Sequence, residues 1–144
     1  MSLTRQQAIT HVTIQSQRLR SEKQRAFWPK YLFHTTHVTN AVEIVRDGTL
    51  RARNLLQSDF HDVANQGALS AYTTTHNFAR LYFRPKNGFH IRTEGIKCRC
   101  DPYRLSQHCS IPVTFIFDFV DVVSKNYVYF TAGNAQRSTQ NFCL

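Results

Sequence analysis

The sequence predicts an α+β fold, and three observations carry that prediction. Val113, Phe115 and Phe117 alternate with Thr114, Ile116 and Asp118 across Ile111 to Phe119, the period of a strand with one aromatic face. Val38 to Arg46 instead places Val38, Ala41, Val42 and Val45 on one side of a helix. The 144 residues, 42% hydrophobic and 12% aromatic, suffice for one core, and no internal repeat or linker divides them. We expect a basic N-terminal helical segment over residues 1–30 and a main domain over 31–144.

Taken in order, Thr4 to Arg25 mixes Gln, Arg and Lys with Ile9, Val12, Ile14 and Leu19, which fits an amphipathic helix with a basic face. Arg18, Arg20, Lys23, Arg25 and Lys30 cluster there, either as a phosphate-holding patch or as a solvated face. Tyr31 to His34 reads as a strand running into the Val38–Arg46 helix. Thr36 or Asn40 is the expected N-cap and Asp47-Gly48 the stop. Thr49 to Arg53 reads as a second strand, and Asn54 to Asn77 as an irregular functional loop. Ala79 to Phe83 is a strand ended by Pro85, and Lys86 to Ile91 a turn or short helix. Tyr127 to Phe130 is the last strand, followed by an Ala132-Gly133-Asn134 turn.

Eighteen Lys and Arg against nine Asp and Glu give a net charge of +9 with neutral His. The isoelectric point is near 9.8, which suits a polyanionic partner such as DNA or RNA. Pro112, Thr114, Asp118 and Asp121 interrupt the most apolar stretch, well short of the ~20 apolar residues of a membrane span. Met1 to Lys30 has no apolar run of the secretory kind, so a soluble protein of the reducing cytoplasm is expected. In that setting Cys98, Cys100, Cys109 and Cys143 read as free thiols. The C-x-C spacing of Cys98 and Cys100, with His108-Cys109 nearby, does not match a zinc ribbon or finger, and no metal is expected. No Walker, G-x-G-x-x-G, H-E-x-x-H or G-x-S-x-G motif occurs.

Two segments have the residue types for a ligand site. Phe33-His34-Thr35-Thr36-His37 lies where a strand meets a helix, a place that presents side chains and N–H groups to anionic ligands. Along Arg80-Leu81-Tyr82-Phe83-Arg84-Pro85, alternation sends Arg80, Tyr82 and Arg84 to one face, able to hold a phosphate and stack a ring. The plainer reading is a half-buried strand with a solvated basic side.

These two segments resemble the DarT family, NAD-dependent ADP-ribosyltransferase toxins that modify single-stranded DNA. Ile44 to Leu50 (I-V-R-D-G-T-L), Asp62-Val63-Ala64, Thr93-Glu94-Gly95-Ile96, His108 to Val113 and Ala132 to Ala135 continue the likeness in order, from about Tyr31 to Gln136. The resemblance implies a split antiparallel sheet with flanking helices that holds NAD in a cleft as a consumed substrate. His34 and Thr36 match the H-x-T element that grips the nicotinamide ribose, and Tyr82 the aromatic strand lining the cleft. The expected partner is single-stranded DNA, bound by Arg80, Arg84, Arg18 and Arg20, with an antitoxin protein a further possible partner. The Y-F-R-P strand and the G-N-A turn point away from an RNA 2′-phosphotransferase.

The catalytic positions are not matched. The family's catalytic glutamate is expected beyond the G-N-A element, yet no acid follows Asp121, and its functional arginine has no counterpart between Arg53 and Arg80, near Ala71 and Tyr72. A domain lacking its C-terminal part, a homologue binding without turnover, and an enzyme using other residues all fit. The first is the expectation. The alternative function is a catalytically inactive basic nucleic-acid-binding module of the same fold.

Overall fold

The computed structural model describes residues 3–22, 25–56, 60, 62, 73–85, 88–106, 108–131 and 142–143. The Ala132-Gly133-Asn134 turn, Lys23, Ala71, Tyr72 and most of the expected Asn54–Asn77 loop lie outside these residues. The fold is α+β. In chain order come α1 (Arg5–Arg18), β1 (Tyr31–His37), α2 (Val38–Asp47), α3 (Gly88–Thr93), β2 (Pro112–Asp118), α4 (Phe119–Val123), β3 (Phe130–Thr131) and β4 (Phe142–Cys143). Single 3₁₀ turns occupy Trp28–Lys30, Arg53–Leu55, Thr73–Asn77 and Arg104–Ser106. β1 pairs with β2, and β3 pairs antiparallel with β4, Phe130 opposite Cys143.

The chain forms two compact units, one from Met1–Phe33, Leu81–Arg84 and Ile116–Leu144, the other from His34–Arg80 and Pro85–Phe115. The core of the first joins Ala8 of α1, Leu32 of β1 and Phe119 and Val123 of α4. α1 begins with a capping box, in which Thr4 Oγ1 accepts from Gln7 N at 3.2 Å and Gln7 Oε1 accepts from Thr4 N at 2.9 Å. The helix stops at Arg18, earlier than Arg25, with Leu19 as its C-cap. Its inward face is Ala8 and Val12, whereas Ile9 and Ile14 are 42% and 43% exposed. The two isoleucines lie off the stripe that alanine opens for close packing.

β2 follows the alternation read from sequence, with Val113, Phe115 and Phe117 half-buried and Thr114, Ile116 and Asp118 exposed. It ends one residue before Phe119, because Asp118 Oδ1 accepts from Asp121 N at 3.1 Å and so caps α4. The cap turns Phe119 into the core, where its ring lies 5.6 Å from that of His11 and 6.2 Å from that of Phe83.

In the second unit α2 ends at Gly48 in the left-handed conformation (φ 63°), as Asp47-Gly48 implies. The N-cap, however, is His37, whose Nδ1 accepts from Thr39 N at 3.4 Å. Ala41 is buried while Val42 and Val45 are 49% and 71% exposed, so the inward stripe runs through Val38, Ala41 and Ile44.

Three expected strands are absent or shortened. Thr49 to Arg53 forms none, since Arg51 is tied back to Asp47 at 3.2 Å and the segment enters the Arg53–Leu55 turn. Ala79 to Phe83 contributes one antiparallel bridge, Tyr82 to Phe33. The last strand starts only at Phe130, because Tyr127 takes a left-handed turn conformation (φ 63°).

Truncating the ring that joins α4 to the core, Phe119→Ala, lowers unfolding free energy by about 3–5 kcal/mol in urea titrations. Ile14→Ala, at an exposed position, changes it by less than about 1 kcal/mol.

Candidate functional site

His34 opens the second unit and is half-buried. Its Nδ1 lies 3.0 Å from the Arg80 carbonyl oxygen, and a carbonyl only accepts, so Nδ1 carries the proton and donates. The neutral ring then leaves Nε2 as an acceptor, the form needed to receive a hydroxyl hydrogen. Burial lowers the His34 pKa from the ordinary 6.5, the positive charges of Arg80 and His90 push the same way, and the bond to the Arg80 carbonyl opposes them. His34 is therefore a neutral donor–acceptor at physiological pH.

The residues that follow divide between ligand-capable and structural positions. Thr36 is 5% exposed, and its Oγ1 accepts from Asn40 Nδ2 at 3.0 Å, which ties the end of β1 to the first turn of α2. Thr35 Oγ1 lies 2.9 Å from Thr114 Oγ1 and donates to the Pro85 carbonyl at 3.4 Å. Sequence reading passed over this hydroxyl pair; the coincidence of Thr35 in a strand motif with Thr114 in an alternating strand was its only signal.

Tyr82 belongs to the first unit, where its backbone exchanges two 2.8 Å hydrogen bonds with Phe33 and its side chain is 37% exposed. The rings of Phe83, Phe119 and Phe130 hold the adjoining segment through centroid separations of 6.2 and 6.3 Å. Arg84, Arg18 and Arg20 are exposed and Arg80 half-buried, and among the described residues none of the four makes an ion pair. The structure thus joins His34 to Arg80 through the Arg80 backbone. Arg18 and Arg20 belong to the first unit, at the end of α1.

Arg53 was not singled out from sequence. Its guanidinium meets Asp62 through both terminal nitrogens and lies 5.1 Å from the Phe60 ring centroid, with only 23% of the side chain exposed. The nine-residue separation gives no periodic cue. Cys98 and Cys100 are exposed and Cys109 buried, and among the described residues no group of three His, Cys, Asp or Glu is placed to hold a metal. No helix among them is long and apolar enough to cross a membrane.

A family model described as DarT, ssDNA thymidine ADP-ribosyltransferase, matches residues 33–143. The match begins at the Phe33-His34 step and takes in Arg80 to Pro85. Neither the curated proteins nor the solved structures gave a match.

Because the unfolded chain binds the His34 proton more tightly than the folded one, stability from this group is complete above pH 6.5 and falls as pH drops from there through the lowered folded value. In urea titrations between about pH 7.5 and 5, His34→Ala is expected to be less stable at the upper end and to show a shallower acid loss. Equal slopes for the two proteins would contradict the burial of a neutral ring.

Proposed function

This chain belongs to the DarT family of single-stranded-DNA thymidine ADP-ribosyltransferases, and from that premise we propose that it consumes NAD and transfers ADP-ribose to thymidine in single-stranded DNA. The observation that carries the reading is His34, a neutral ring with Nδ1 committed to the Arg80 carbonyl and Nε2 left to accept from a ribose hydroxyl. The bond between nicotinamide and the ribose anomeric carbon breaks, and nicotinamide leaves with the electron pair. The ribose carries oxocarbenium character until a thymine nitrogen attacks and sheds its proton. A neutral imidazole suits this sequence, because an imidazolium at the same place would oppose the developing positive charge.

Thr36, through its backbone and its tie to Asn40, fixes the path of the strand end that carries His34, and Tyr82 offers a ring face for the cofactor-like substrate. Arg18, Arg20, Arg80 and Arg84 supply positive charge for DNA phosphates. In this reading the protein works in the cytoplasm as a toxin restrained by an antitoxin.

A second reading, a basic nucleic-acid-binding module without turnover, draws on the net charge of +9 and on the exposed Arg18, Arg20 and Arg84. The two part on one experiment. NAD is titrated calorimetrically into the wild type and His34→Ala, both checked for folding by circular dichroism, and ADP-ribose transfer to a thymidine-containing single-stranded oligonucleotide is assayed alongside. Transfer with at least about a tenfold loss of NAD affinity in the variant is expected. A folded wild type that binds DNA and ignores NAD establishes the second reading instead.

Oligonucleotide affinity is expected to fall steeply with salt, with a log–log slope of about −0.7 per phosphate contacted. Arg84→Ala and Arg18→Ala should each flatten that slope in fluorescence anisotropy.

A further inference from the structure

Cys98 and Cys100 are both exposed and lie at the first and third positions of a turn closed by Asp101 N donating to the Cys98 carbonyl at 3.2 Å. Only Arg99 separates them, and the turn folds that residue back, so both thiols are carried on one short loop. Lys97, 3.8 Å from Asp101, offsets part of that residue's charge beside the pair, and Arg99 sits between the two cysteines.

We propose that Cys98 and Cys100 form a reversible redox site, an exposed dithiol that a hydroperoxide converts to an intramolecular disulfide. In the first step the Cys98 thiolate attacks the peroxide oxygen, the O–O bond breaks, and hydroxide (or alkoxide) leaves as Cys98 becomes a sulfenic acid. In the second step the Cys100 sulfur attacks Cys98 Sγ, the S–O bond breaks, and water leaves with the Cys100 proton. The two thiols lose two electrons in total and the peroxide gains them. A small dithiol reductant reverses the reaction by thiol–disulfide exchange.

The division of labour follows from the surroundings. Hydrogen bonds from the Cys100 thiol and from the backbone N–H groups of Cys100 and Asp101 stabilise the Cys98 thiolate and hold its thiol below the ordinary pKa of 9.0, against the opposing Asp101 charge. Cys109 is the built-in contrast. It is 4% exposed, and burial with the nearby Glu94 charge pushes its thiol up, so it stays protonated and inert.

The test treats the full chain with hydrogen peroxide, blocks remaining thiols with N-ethylmaleimide, and maps the products by mass spectrometry with and without subsequent dithiothreitol. Expected is a peptide linking Cys98 to Cys100, short of two hydrogens and restored by dithiothreitol, forming at least about tenfold faster than any change at Cys109. Cys100→Ser should instead accumulate a sulfenic acid at Cys98 that dimedone captures, and Cys98→Ser should abolish fast oxidation. Both variants remove an exposed thiol, and circular dichroism checks that they fold. Oxidation of Cys98 no faster than that of Cys109, or a first product joining Cys98 to another chain, would overturn the proposal.

Discussion

The Arg80 carbonyl has to be given a hydrogen-bond donor, and the way that demand is met sets much of what the site can do. Two residues further on, the Tyr82 backbone is satisfied by Phe33 in an ordinary antiparallel exchange. At Arg80 the donor is the His34 ring. The bond is part-buried, so the backbone acceptor helps to hold the ring in place. The same contact decides which nitrogen carries the proton, and burial decides that there is only one. A donor fixed for folding thereby leaves a lone pair aimed elsewhere. Structure and chemistry meet in one imidazole.

Charge is distributed by a similar economy. Arg5, Arg25, Arg46, Arg51 and Arg53 are each met by a carboxylate, and Lys97 faces Asp101. Most of these pairs are exposed and contribute at most about 1 kcal/mol each. Their larger effect is to cancel positive charge at particular places, so that the excess is concentrated on cations such as Arg18, Arg20, Arg80 and Arg84. The half-buried Arg53–Asp62 pair differs, because removing either partner would strand a charge in a desolvated place.

Much of this was legible in the sequence. β2 was read from alternation because an aromatic face and a polar face leave the period of two intact, and α2 and its glycine stop were read for equally local reasons. Its inward stripe was misjudged, since Val42 and Val45 are as apolar as the residues that do face inward. The C-terminal end of β2 was overrun by one residue because Asp118 resembles a polar strand position until its cap to Asp121 is seen. Thr49 to Arg53 has strand composition without a strand partner, and pairing is a property of the fold. Within the candidate site, His34 was singled out from its motif, yet its partner is a backbone carbonyl 46 residues away that no side-chain pattern encodes. Arg53 went unnoticed for the same reason, its significance residing in Asp62 and Phe60.

The two threonines beside the site share a hydrogen bond 2.9 Å long. Thr35 stands between a hydroxyl at 2.9 Å, on Thr114, and a carbonyl at 3.4 Å, on Pro85, and has one hydrogen to give. With its hydrogen toward Pro85, Thr35 accepts from Thr114, and with its hydrogen toward Thr114 it gives up the longer link to Pro85. The arrangement admits serine at either position and refuses valine, although valine has nearly the shape of threonine and would suit a strand equally well. Variation among related chains at these two positions would therefore be filtered by the presence of a hydroxyl rather than by volume.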